Sequence, residues 1–120
     1  MSTGIRPSDV VKSAADEIGN CMAIVRSKAI SADDPERSQL FTAYDDLLAR
    51  LQELVRQDLK AIDRDPQVKE AVTDLLILTQ RLANMRREMR TTKAVIERIG
   101  MVLGWVDEII DLVMPSPADV

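Results

Sequence analysis

Residues 85–100 read MRREMRTTKAVIERIG, and whether a helix runs through them decides the fold. No proline or glycine interrupts the stretch before Gly100, which leaves the Thr91–Thr92 pair as the one candidate break. Apolar side chains on either side keep a strict alternation of fours and threes. Ala71, Leu75, Leu78, Leu82, Met85, Met89, Thr92, Ile96, Ile99, Leu103, Val106, Ile110 and Val113 follow it, and twelve of these thirteen are apolar. Such spacing places one stripe along a helix and, when sustained, a coiled-coil seam. A loop at Thr91–Thr92 gives the phase no reason to persist. The pattern therefore predicts one helix over 66–114, roughly 70 Å long at 1.5 Å per residue. Thr92 would then be a polar kink or register device on the seam. A four-helix up-and-down bundle with a break near 91 is the alternative.

Working outward, Asp65-Pro66 and Asp34-Pro35 punctuate the chain in the same way. An aspartate can accept orphan backbone N–H groups at a helix start, and proline is tolerated in the first turn because its missing N–H has no partner to lose. These signals, with the weaker start at Pro7-Ser8-Asp9, give helices over about 9–31, 35–63 and 66–114 in a single domain, 1–114, followed by a flexible tail, 115–120. Val11, Ala14, Ile18, Met22, Val25 and Ala29 mark the buried side of the first helix; Leu40, Tyr44, Leu47, Leu51 and Leu54 mark that of the second. The expected fold is all-α: a three-helix antiparallel bundle in which 35–63 and 66–93 form a hairpin. The first helix either folds back on that hairpin or covers 92–113.

Composition supports the class. Of 120 residues, 46% are apolar and 30% charged, with one Phe, one Tyr and one Trp, so the core must be aliphatic. Cys21 is the sole cysteine and excludes an internal disulfide, in keeping with a cytoplasmic location. The start, MSTGIRPSDVV, has no apolar signal-peptide core. No apolar run reaches membrane-spanning length.

The chain carries no histidine, no paired cysteines and no phosphate-cradling glycine loop. Glu70 with Asp74, Asp16-Glu17 and Asp45-Asp46 are the acidic candidates for a metal, but none falls on an interior heptad position. No catalytic, cofactor-binding or metal residue is assigned, and no cofactor is expected. Cys21, beside Met22, reads as a small buried hydrophobe.

Two surfaces remain. Between Ala94 and Met114, fourteen of twenty-one residues are apolar, more than one neighbouring helix can cover. Val95, Ile99, Val102, Leu103, Trp105, Val106, Ile109, Ile110 and Val113 are the expected interface of a homo-oligomer, a dimer or tetramer. Gly100 and Gly104 share that segment and imply either close helix approach or a locally soft helix. The second surface is basic. Arg81, Arg86, Arg87, Arg90, Lys93 and Arg98 face only Glu88 and Glu97, a local excess of four charges. Arg86, Arg87, Arg90 and Lys93 form its flank. Asp33, Asp34 and Glu36 at the start of the second helix are its expected internal partners.

The net charge of −4 and the lack of interleaved aromatics disfavour nucleic acid. The functional expectation is a non-catalytic helical protein–protein interaction module: a small acidic adaptor, assembly factor or secretion-type chaperone. Its likeness to such chaperones is one of size and charge alone. The alternatives are a dimeric DNA-associated regulator using 86–98 and an all-helical enzyme with a carboxylate–arginine site.

Overall fold

The computed structural model describes residues 5–114; the expected flexible tail, 115–120, lies outside them. The described chain is all-α. It comprises α1 (Pro7–Ser31), α2 (Glu36–Val55), α3 (Leu59–Arg64), α4 (Pro66–Glu70), α5 (Val72–Glu88) and α6 (Thr92–Val113). None of these helices is long and apolar enough to cross a membrane.

The continuous helix expected over 66–114 is not what the chain forms. Helix α5 ends at Glu88, Met89 leaves helical geometry (φ −89°, ψ 64°), and Thr91 caps α6. The Thr91 hydroxyl accepts a hydrogen bond from the Ala94 N–H at 3.1 Å, which satisfies one of the orphan donors of the new helix. Thr92 is therefore the first residue of α6 and not a core register device. The apolar pattern survives the break because Met89 stays buried through the turn and both helices face one core. The turn leaves its trace in the register. On α6 the side chains with no exposed surface are Val95, Val102, Val106 and Ile109, while Ile96, Ile99 and Leu103 on the extrapolated seam are only partly buried. The buried line has moved back by one residue in each heptad.

Two smaller interruptions also depart from expectation. The helix expected over 35–63 ends at Val55, and Asp58 starts α3 by accepting from the N–H groups of Lys60 (2.9 Å) and Ala61 (3.3 Å). Asp65 caps α4 through the Gln67 N–H, with Pro66 in the first turn as the sequence implies. At Ala71 the axis hitches without losing its ladder, since Ala71 still donates to Gln67 and Leu75 to Ala71. Asp34 caps the start of α2 from outside the helix, accepting from the Ser38 N–H and hydroxyl.

Helix α1 packs against α2 and α5, and α6 packs against the same two, so α2 and α5 stand at opposite corners. The hairpin expected between 35–63 and 66–93 is thus absent. Two other hairpins take its place, α1–α2 and α5–α6. They dock with α1 parallel to α5 and α2 parallel to α6: Glu17 meets Arg86 and Arg50 meets Asp107. The short α3–α4 segment carries the chain from one hairpin to the other. It also closes the start of α1, where the Ser8 N–H and hydroxyl donate to the two oxygens of Asp63 at 2.9 and 2.7 Å.

The core is aliphatic, as the composition demands. Ile18, Leu47, Leu54, Leu75 and Leu82 are without exposed surface, each contributing about 1.5–3 kcal/mol by leaving water. Ser8 is the sole buried polar residue among those described.

Candidate protein-interaction surface

The nine residues expected to form an oligomer interface divide sharply. Val95, Val102, Val106, Ile109, Ile110 and Val113 are buried by the chain's own α1, α2 and α5, so they cannot meet a partner in this fold. The broad apolar surface of the segment meets several neighbours within the chain itself, α1, α2 and α5. Ile99, Leu103 and Trp105 are half-buried against the core.

Trp105 belongs to a second stripe. Met101, Trp105, Glu108 and Leu112 recur at spacings of four, three and four, which aligns them on one flank of α6. Leu112 and Glu108 face α5 across an open groove of about 380 Å³, whose other lining residues are Asp74, Ile77, Leu78, Arg81 and Asp111. Met101 is 50% exposed and Ile77 45%. Half-exposed apolar side chains along a helix–helix seam are what a docking helix covers. Ile77 and Met101 fall outside the nine because the seam is made by two antiparallel helices, and a hairpin at 89–91 was not the favoured fold.

The seam is acidic. Among the described residues the ion pairs are Arg50–Asp107 (2.7 Å), Arg86–Glu17 (2.9 Å) and Arg98–Glu88 (3.2 Å). Asp74, Glu108 and Asp111 take part in none of them. The opposite flank of α5 meets α1 in a further groove, lined by Asp9, Asp16 and Glu17 and by no lysine or arginine.

Part of the basic cluster is paired locally. Arg86 donates from Nε to Glu17 of α1, Arg98 pairs with Glu88 across the 89–91 turn, and Arg90 donates from Nε to the Arg87 carbonyl at the end of α5. Internal partners exist as expected, but they are Glu17 and Glu88. Asp34 is instead bonded to Ser38. Arg86 and Arg87 occupy the last turn of α5, where cations complement the helix dipole. Lys93 lies exposed in the first turn of α6.

No chemical site emerges elsewhere. Cys21 is fully buried, and its thiol is pushed up to about 11, chiefly by burial and further by the Glu17 carboxylate, against the opposing effect of Arg86. Asp63 is held below its ordinary value by the two hydrogen bonds from Ser8, a capping effect and not catalytic tuning. The described residues contain no group of three or more His, Cys, Asp or Glu placed to hold a metal ion.

No family model, curated protein or solved structure matches the chain.

Proposed function

We propose that the protein is a non-catalytic helical interaction module, of the small acidic adaptor, assembly-factor or chaperone kind, and that the α5–α6 seam is its contact surface. The observation that carries this reading is the Met101–Trp105–Leu112 stripe on one flank of α6, which meets Ile77 of α5 in the groove at its Leu112 end. These are large apolar side chains left part-exposed on well-formed helices that already share a complete core beneath them. Buried aromatic and Met anchors ringed by polar groups are the usual energetic centre of a protein interface. Self-association, expected from residues 95–113, could use of that segment only its part-exposed side chains, because most of it is enclosed.

The test separates contact from folding. Ile77→Lys and Met101→Lys should keep wild-type helicity by circular dichroism and melt within about 3 °C of it, since exposed substitutions usually cost under about 0.5 kcal/mol. A large loss of stability in both would make the seam part of the fold and remove the basis of the reading.

A further inference from the structure

We infer that the occupant of the α5–α6 seam is a cationic amphipathic helix of another protein. The inference rests on the seam being an interaction surface and adds the chemistry of its partner.

The seam's shape fits a helix. The stripe from Met101 to Leu112 spans about 16 Å along α6, three turns of a docked helix. Ile77 on α5 and Leu112 on α6 line the groove, and Trp105, two turns before Leu112 on the same flank of α6, extends the apolar line, so that together they offer anchors for side chains spaced i, i+3/i+4 and i+7.

The charge selects its partner. Asp74 from one wall and Glu108 and Asp111 from the other flank the apolar floor, with Arg81 the single cation among them. None of the three carboxylates is in an ion pair among the described residues. An incoming lysine or arginine therefore meets acceptors that give up only water. An incoming glutamate meets like charge on both sides, and such juxtaposition selects against wrong partners as strongly as attraction selects for right ones.

The same arithmetic disfavours a second copy. A two-fold dimer presents identical patches to each other. It would double three carboxylates against one arginine in each half, on a chain already at −4.

Trp105 is the chain's one tryptophan and lies on the flank of α6 that carries Glu108 and Leu112, so its emission reports on that flank. The probe is a synthetic helical peptide of about 18 residues, long enough to overlap the three turns, with a leucine stripe, a lysine-rich polar face and no aromatics. A second peptide replaces every lysine with glutamate. Trp105 emission is followed at about 50 mM and about 300 mM salt, a range over which screening weakens exposed charge attraction.

The expected result is saturable binding of the lysine peptide, weakened about tenfold or more at the higher salt, and no binding of the glutamate peptide. Ile77→Lys should abolish it, and the Glu108→Lys/Asp111→Lys double variant should reverse the preference. Equal binding of both peptides would overturn the charge selection and leave the surface intact. Lysine-peptide binding that persists in Ile77→Lys would place the peptide elsewhere and overturn the assignment. Failure of both peptides is resolved by light scattering. A dimer dissociated by Ile77→Lys makes the occupant a second copy, whereas a monomer of constant mass removes the interaction surface itself.

Discussion

Thr91 turns the chain with one hydroxyl. Its acceptance of the Ala94 N–H is the capping bond of α6, and Thr91→Ala should lower stability by about 1 kcal/mol in a denaturant titration, with Thr91→Ser close to neutral. A value near zero would mean that the turn is held by Met89 and the Arg98–Glu88 pair alone. Cys21 gives a second check at this scale. With its thiol near 11, roughly one molecule in a thousand carries a thiolate at pH 8, beneath a closed surface. Iodoacetamide should leave the native chain unmodified over hours and label it fully in denaturant. Asp63 predicts a pH dependence. Its carboxyl titrates lower in the folded chain than in the unfolded one, so its contribution is complete above the unfolded value and fades as pH falls through the folded one. Stability should drop on acidification below about pH 4. Asp63→Asn should flatten that portion of the curve compared with wild type in parallel thermal melts.

At the scale of the element, helix type and the starts of α1, α2 and α4 were legible in the sequence, and those of α3, α5 and α6 were not. Asp65-Pro66 announces its helix because the cap and the proline act locally, and the structure uses both. Asp58 is the same kind of signal, but it sat inside a continuing apolar pattern and was passed over. The break at 89–91 is harder. Hydrophobic spacing reports which face is wet, not which way the axis points, and a buried Met89 carries the pattern through a reversal. The informative clue was electrostatic: Arg86 and Arg87 crowd what proves to be a helix C-terminus, where cations belong. Of the proposed surface, the sequence singled out Trp105 but not the groove beside Ile77. A groove between two helices needs the fold before it can be seen. Gly100 and Gly104 illustrate the remaining ambiguity. A Cβ built on either meets nothing within 4 Å, so the pair does not mediate close packing. Gly100→Ala and Gly104→Ala should each stabilise the protein by about 0.5–1 kcal/mol, read from urea midpoints at unchanged m-value. A destabilising result would reveal a neighbour pressed against that face in solution.

Across the whole molecule, function is read from what the bundle leaves uncovered. The interior is aliphatic, and the charged groups that reach its edge are the Arg86–Glu17 pair and Arg98, whose Nε is buried without a partner among the described residues. The proposed contact surface lies on the outside of α5 and α6. The arrangement of its two hairpins has one more consequence. Each hairpin is contiguous in sequence, and the two meet through α1 on α5 and α2 on α6, with only the α3–α4 passage joining them covalently. Cutting the backbone between Arg56 and Gln57, in the turn after α2, would leave each half with a complete helical pair and one raw apolar face. The Ser8–Asp63 bonds would then become an intermolecular clasp. Co-expressed as 1–56 and 57–120, the fragments should reassemble into a one-to-one complex with the far-ultraviolet spectrum of the intact chain, making the protein a natural split pair.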